Sequence, residues 1–163
     1  MLVLFEILGA QAQQADSFFD LDVHQLLFDS LRLACAFLLA LPVAWNREHE
    51  TRSAGLRTFP LVALASCSFV LLGRTAFGDE ANAQARVLEG VITGIGFIGG
   101  GAIIKHENAI SGTATAASIW ATGAMGAAVA YDRHEIALVL AFASFAVLRW
   151  LKLLKTTDTD RLS

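Results

Sequence analysis

The sequence predicts an all-α membrane protein, a polytopic bundle of about five transmembrane helices with its N-terminus outside the cytoplasm and its C-terminus inside. Hydrophobic residues make up 55% of the 163 residues and charged residues only 17%, whereas soluble domains average about 25% charged residues. Five apolar segments approach the roughly 20 residues that a helix needs to cross the hydrocarbon. The loops between these segments also differ in basic content, which predicts an orientation.

The five predicted helices cover residues 26–45, 59–77, 87–104, 113–131 and 136–154. They are too long for buried strands and lack the strict alternation of polar and apolar residues that strands show. A helix also satisfies its backbone hydrogen bonds internally, as lipid requires. The first segment contains Asp29 and Arg32, and the fifth carries Arg149 near its end. A long basic side chain near a helix end can reach the membrane interface.

Basic residues set the predicted orientation. The segment before the first helix has no Lys or Arg, and the loops on the same side of the membrane as this segment carry few. Because cytoplasmic loops are enriched in Lys and Arg, the side of the membrane opposite the N-terminus is predicted to be cytoplasmic. Its basic residues are Arg47, Arg52, Arg57, Lys105, Arg149, Lys152, Lys155 and Arg161, against Arg74, Arg86 and Arg133 outside.

This pattern predicts a short extracytoplasmic lead (1–24), a transmembrane domain (25–155) and a short cytoplasmic tail (156–163). The lead contains Ala-Gln-Ala, which resembles a signal-peptide cleavage site. It lacks a basic n-region, however, and Glu6 interrupts its apolar part. We therefore expect the lead to be retained, with cleavage as the alternative.

The third segment contains Gly94-Ile-Gly-Phe-Ile-Gly99, which matches the GxGxxG fingerprint of dinucleotide-binding proteins. That fingerprint needs a preceding strand and an acidic residue about 20 residues further on. Residues 111–116 include no acid, so the sequence argues against a nucleotide site here.

Two other uses of these glycines remain. The favoured one is close packing against the small residues of the fourth helix, through the GxxxG pairs Gly90/Gly94 and Gly96/Gly100. It predicts that Gly94→Leu or Gly100→Leu destabilises the bundle. The alternative is that residues 99–101 unwind the helix and offer carbonyl groups to an ion.

Few polar groups in the segments suggest chemistry. Asp29 and Arg32 could form an intramembrane pair or a pair at the outer headgroup level. We expect the hydroxyls of Thr115, Ser118 and Thr122 to bond across helices or to the preceding turn, and not to line a polar path.

A metal site is conceivable where two cytoplasmic loops meet. The residues that could form it are Glu48, His49, Glu50, His106 and Glu107. Such a loose cluster is more often a solvated loop surface, so no metal, cofactor or catalytic residue is predicted.

Several motifs, in order between about residues 31 and 130, resemble the MgtC/SapB family. They are Asn46-Arg47-Glu48, Arg52-Ser-Ala-Gly-Leu-Arg-Thr58, Arg86, Gly94-Ile-Gly-Phe-Ile-Gly-Gly-Gly-Ala-Ile-Ile-Lys105 and Gly112-Thr-Ala-Thr-Ala-Ala-Ser-Ile-Trp120. The functional candidates that the resemblance implies are Arg32, Asn46, Arg47, Gly55, Arg57, Thr58, Arg86, Gly94, Gly96, Phe97, Gly99, Gly101, Gly112, Thr115 and Trp120.

The resemblance implies a multi-pass protein of the bacterial inner membrane, linked to magnesium limitation and, in some members, to survival inside host cells. Virulence-type members are thought to restrain the ATP synthase. This chain departs from the family pattern at Asn46, Phe59 and Ala121, and we expect no soluble C-terminal domain. These departures favour the short SapB-like branch.

Three functions are compatible with a protein of this kind. The preferred one is a regulatory protein that acts through other membrane proteins or through its own copies in the lipid bilayer. The alternative is a transporter or ion-conducting oligomer coupled to magnesium or protons, which needs more mid-membrane carboxylates than this sequence offers. An enzyme would need a nucleophile beside a base, and none is predicted. The net charge of -3 gives no basic footprint for nucleic acid.

Overall fold

The computed structural model describes residues 22–50, 54–105, 107 and 109–159. These residues contain five α-helices: α1 (Val23–Glu50), α2 (Thr58–Phe77), α3 (Ala81–Gly101), α4 (Thr113–Ala130) and α5 (His134–Thr159). Two short strands, β1 (Ile104–Lys105) and β2 (Ile110–Ser111), pair antiparallel between α3 and α4, with Ile104 opposite Ser111. The described residues divide into two compact units between Leu31 and Arg32, and the helix packing is that of the unit that begins at Arg32.

The five predicted segments correspond in order to the five helices, so the helical architecture is confirmed. The prediction was wrong at the end of the third segment, where the helix stops at Gly101 and β1 begins at Ile104. Three consecutive glycines weaken the helix there. Gly112, with φ of 85°, is the N-cap residue of α4. A Cβ added at Gly112 would lie 1.9 Å from the carbonyl oxygen of Ala102.

The central helix is α4, which packs against α2, α3 and α5. Ten of its 18 residues are buried, because alanine and glycine let the neighbouring helices approach closely. A Cβ added at Gly126 would lie 2.2 Å from the carbonyl oxygen of Ala63 in α2. A Cβ added at Gly123 would lie 2.1 Å from the side chain of Ile95 in α3. The fold therefore depends on these two glycines for helix contact.

The predicted packing of the third helix is confirmed at one glycine and wrong at the others. A Cβ at Gly99 would lie 3.3 Å from the carbonyl oxygen of Ala116 in α4. The four glycines of the GxxxG pairs and Gly101 have nothing within 4 Å of the added Cβ among the described residues. The alternative of an unwound segment is also wrong, because residues 99–101 belong to α3.

The outer surface of the helices is strongly apolar. Phe97 in α3 is 85% exposed, and Val139 and Phe142 in α5 are 67% and 69% exposed. Buried positions meanwhile include Arg47 and the hydroxyl residues Ser66, Thr115, Ser118 and Thr122. Over Val23–Glu48 and Thr58–Phe77, α1 and α2 are long and apolar enough to cross a membrane. Apolar residues outside and polar residues inside suit a helical protein in lipid.

Candidate functional site

Arg47 forms a buried polar contact between α1 and α4. It continues the buried face of α1 that Ala36, Ala40 and Ala44 begin, at helical spacing. Only 6% of Arg47 is exposed, and its Nη2 donates a hydrogen bond of 2.7 Å to the Thr115 Oγ1. A buried cation needs such partners, because its desolvation is costly. The contact joins the last turns of α1 to the first turn of α4.

The next residue, Glu48, shapes the corner between α1 and α2. Its Oε2 accepts a hydrogen bond of 2.8 Å from the backbone N–H of Leu56. A Cβ added at Gly55 would lie 1.9 Å from the same oxygen, so a larger residue there would displace the carboxylate. The Gly55 carbonyl accepts hydrogen bonds from the N–H groups of Thr58 and Phe59, where α2 begins. We call Asn46, Arg47, Glu48, Gly55 and Thr115 the Arg47 cluster.

A second polar group, the Asp132 cluster, consists of Arg32, Arg74 and Asp132. The Arg32 Nε donates to the Asp132 Oδ1 at 2.9 Å, and the Arg74 Nη1 donates to the Asp132 Oδ2 at 2.9 Å. Arg74 also donates to the carbonyl oxygen of Ala130. One carboxylate in the α4–α5 loop therefore holds arginines from α1 and α2.

The electrostatics of the Asp132 cluster follow from this geometry. The hydrogen bond from Arg74 is the largest influence and lowers the pKa of Asp132 below its ordinary value of 3.8. Partial burial opposes this effect, and Arg32 adds to it. The three side chains are between 27% and 43% exposed. The cluster is therefore partly solvated, which limits its contribution to stability.

The two clusters lie at opposite ends of the bundle. Arg32 and Arg47 are about 22 Å apart along α1, at 1.5 Å per residue. Their partners Asp132 and Thr115 lie just beyond the end of α4 and in its first turn. Consequently the part of α1 from Arg32 to Arg47 runs antiparallel to α4 and is joined to both ends of α4. We refer to these ends as the Arg47 end and the Asp132 end.

Hydroxyl groups inside the bundle bond locally. The Ser118 Oγ donates to the Ala114 carbonyl oxygen at 2.6 Å, and the Thr122 Oγ1 donates to the Ser118 carbonyl oxygen at 2.8 Å. This confirms the expectation that these hydroxyls bond to the preceding turn. Thr115 instead accepts from Arg47.

The other candidates do not converge on one site. Asn46 is half-buried, and its Oδ1 has no hydrogen-bond partner among the described residues. Arg57 and Arg86 are exposed, as are Gly94, Gly96 and Gly101. Trp120 is 53% exposed and lines a groove between α3 and α4.

The proposed pairing of Asp29 with Arg32 stays a prediction, and the structure adds Asp132 as a partner of Arg32. The metal cluster considered above lies largely outside the described residues, since His106 and the side chains of His49 and Glu50 are among those left out. Among the described residues, no group of three His, Cys, Asp or Glu side chains could hold a metal ion.

Sequence reasoning missed the Asp132 cluster. A signal was present, because the predicted topology puts the start of the first helix, the end of the second and the fourth loop on one side of the membrane. Arg32, Arg74 and Asp132 occupy those positions. An acid placed among arginines on one side predicts an ion-pair network.

An apolar outer surface and two helices long and apolar enough to cross a membrane are typical of a helical membrane protein. The model of the MgtC family matches residues 33–157, and the chain belongs to this family. The chain is 36% identical over 138 residues to Protein SrpB of Synechococcus elongatus. The aligned region covers 77% of this chain and 76% of the relative.

Two further relatives are longer than the matched region. Protein MgtC of Brucella abortus is 37% identical over 120 residues, covering 72% of this chain and 50% of the relative. "Putative magnesium transporter YhiD" of Escherichia coli K12 is 31% identical over 114 residues, covering 66% of this chain and 53% of the relative. The chain thus spans about half the length of these two relatives. No solved structure matches the chain.

Proposed function

We propose that this protein is a regulatory protein of the bacterial inner membrane that acts by binding other membrane proteins, or further copies of itself. Its role would be linked to magnesium limitation or membrane energetics, as magnesium appears in the name of the relative YhiD. The observation that carries the proposal is that the charged side chains of the two clusters form hydrogen bonds within the described bundle. Arg47 bonds to Thr115, and Asp132 bonds to two arginines.

The proposed topology has five membrane-crossing helices, with the N-terminus outside and the C-terminus in the cytoplasm. Alternating helix directions support it, since α3 contacts α4 antiparallel through Gly99–Ala116 and Ile95–Gly123. The Arg47 end would then face the cytoplasm. It holds Arg47 and Arg57 beside the α1–α2 corner and Lys105 in β1, in agreement with the enrichment of basic residues on that side.

The same bonding pattern argues against an ion path. A divalent cation prefers several oxygen ligands, and the ionisable residues of an ion path face the bundle interior or a water-filled cavity. The Asp132 carboxylate is held by two guanidinium groups at 2.9 Å each. The hydroxyls of Ser118 and Thr122 donate to backbone carbonyls. We likewise propose no enzymatic activity, because an activated nucleophile needs an adjacent base.

The alternative function is a transporter or ion-conducting oligomer for magnesium or protons. It is favoured by one observation, the name "Putative magnesium transporter YhiD" borne by a relative 31% identical to this chain. In an oligomer, residues from several copies could supply the oxygen ligands that one copy does not bring together.

Flux measurements separate the two functions. The purified protein is reconstituted in liposomes, and magnesium and proton entry are followed with internal dyes. We expect no flux above that of protein-free liposomes, and a membrane complex that co-purifies with the protein from its native membrane. Flux that is abolished by Asp29→Ala or Arg32→Ala would overturn the regulatory proposal. Asp79→Ala is the control, because Asp79 is exposed, lies outside both clusters and is not among the functional candidates.

A further inference from the structure

An apolar groove of about 550 Å³ runs along the surface between α3 and α4. Val91 and Ile95 of α3 form one wall. Small residues of α4, including Ala124 and Ala128, form its floor, and this explains why there is a depression. From Trp120 to the end of α4 the groove extends roughly 15 Å, at 1.5 Å per residue.

The groove has one cationic end. Arg133 is the single charged residue among its described lining residues, and Tyr131 lies beside it. The Arg133 Nε donates to the Glu135 Oε1, and both side chains are more than half exposed. A guanidinium carries five N–H donors, so this contact leaves the two terminal NH₂ groups of Arg133 able to bind another anion.

We propose that this groove binds an anionic phospholipid, with an acyl chain along its apolar floor and the phosphate at Arg133. The apolar length and the cationic end match the two parts of such a lipid. Arginine binds phosphate through charge-assisted hydrogen bonds, and basic side chains near a membrane surface attract anionic lipids. Arg133 lies in the loop between α4 and α5, at the Asp132 end, where a headgroup would lie if these helices cross the bilayer.

A second groove provides an internal comparison. It lies between α2 and α3, has a volume of about 520 Å³ and includes Phe69 among its lining residues. Among its described lining residues none is charged. Acyl chains can occupy it, but nothing in its lining selects a headgroup. The proposal therefore predicts an anionic preference at the first groove and none at the second.

Fluorescence quenching by brominated lipids tests this difference. In the full-length chain with Trp45→Phe and Trp150→Phe, Trp120 reports on the first groove, because it lines that groove and is 53% exposed. For the second groove, Phe69→Trp is introduced with all three native tryptophans replaced by Phe. Each protein is reconstituted in phosphatidylcholine vesicles that contain either brominated phosphatidylglycerol or brominated phosphatidylcholine.

We expect brominated phosphatidylglycerol to half-quench Trp120 at a mole fraction at least about threefold lower than brominated phosphatidylcholine, since one charge-assisted contact is sufficient for such a preference. In the Phe69→Trp protein the two lipids should quench the fluorescence equally. Equal quenching at Trp120 would overturn the proposal. So would the absence of quenching by either lipid, because it would mean that a second copy or another protein covers the groove.

Substitutions in the Arg133–Glu135 pair give the sharpest test, because they should act in opposite directions. Arg133→Gln should abolish the anionic preference. Glu135→Gln should preserve or increase it, since the competing carboxylate is lost. If both substitutions lower the preference equally, the pair is only structural and the proposal fails. Arg133→Lys retains the positive charge and should retain a preference even if Arg133→Gln folds poorly.

Arg86→Gln is the matched charge control, since Arg86 is exposed on α3 and is not among the described lining residues of the groove. It changes the net charge by the same amount as Arg133→Gln and should leave the preference unchanged. A loss equal to that of Arg133→Gln would indicate a general surface potential and would contradict a specific site. None of these outcomes depends on whether the protein regulates other proteins or transports ions.

Discussion

The Arg47 Nη2 and the Thr115 Oγ1 are 2.7 Å apart, and this hydrogen bond joins α1 to α4 at a position where 6% of Arg47 and none of Thr115 is exposed. Such a buried guanidinium depends on the partners that the fold provides. The bond also links two of the family motifs, which are separated by more than 60 positions in the sequence.

Thr115→Val should destabilise the protein by about 1–3 kcal/mol, because it removes the acceptor while Arg47 remains buried. Thr115→Ser keeps a hydroxyl and is the control, with a smaller loss expected. The free energy of unfolding in detergent micelles provides the measurement. Equal stability of the Val variant and the parent would contradict the structural role assigned to this bond.

Glycines in the bundle should differ in their tolerance of alanine. Gly126→Ala should destabilise by about 1–3 kcal/mol through overpacking, because the added carbon would lie 2.2 Å from a backbone oxygen of Ala63. Gly94→Ala meets nothing within 4 Å and should be neutral or stabilising by up to about 1 kcal/mol from helix propensity. The melting temperatures of the two purified variants, each compared with the parent, test this difference. If Gly94→Ala is the more damaging, then Gly94 contacts a partner outside this chain.

Stability should fall at low pH because of Asp132. Its pKa is lowered in the folded protein below its ordinary value of 3.8, chiefly by the hydrogen bond from Arg74. A lowered pKa means that the carboxylate stabilises the fold above pH 3.8, and that this contribution is lost as the pH falls through the folded-state pKa. Asp132→Asn should therefore lower the melting temperature at pH 7, and the difference from the parent should disappear in strong acid.

Asparagine is the appropriate substitution at this position. Asp132 has a φ of 59°, a left-handed conformation that Asn adopts more readily than most residues. The substitution thus removes the charge without adding backbone strain. The expected loss at pH 7 is about 1 kcal/mol, because the ion pairs are partly exposed. A difference that persists unchanged at pH 3 would mean that the charge of Asp132 is not the cause.

The helices could be predicted from the sequence because each forms from one local apolar run, and lipid leaves helix as the favourable structure for such runs. The individual contacts of the glycines could not. Gly94 belongs to a GxxxG pair and Gly99 to the run of three glycines in α3. Of the two, only Gly99 lies so close to the backbone of α4 that an added Cβ would contact it. That outcome depends on the rotation of α3 about its own axis, which every side chain of the interface determines together.

The candidate residues illustrate the same limit. The motif residues Arg47 and Thr115 could be named from the sequence, but their hydrogen bond depends on the register between α1 and α4. The Asp132 cluster needs three segments brought together by the fold. Long-range contacts of this kind need the tertiary arrangement, whereas local hydroxyl bonds such as Ser118 to Ala114 follow from helix geometry alone.

Cysteine labelling should reveal the proposed orientation. Asp79 lies in the short connection between α2 and α3, and Ser111 lies in β2 at the opposite end of α3; both residues are exposed. With Cys35→Ala and Cys67→Ala as the background, Asp79→Cys should react with a membrane-impermeant maleimide added to spheroplasts. Ser111→Cys should react only after the membrane is permeabilised, because the positive-inside pattern predicts that this end lies in the cytoplasm. Labelling of both variants after permeabilisation confirms that each cysteine is accessible. The reverse pattern in spheroplasts would invert the topology, and labelling of both from outside would mean that α3 does not cross the membrane.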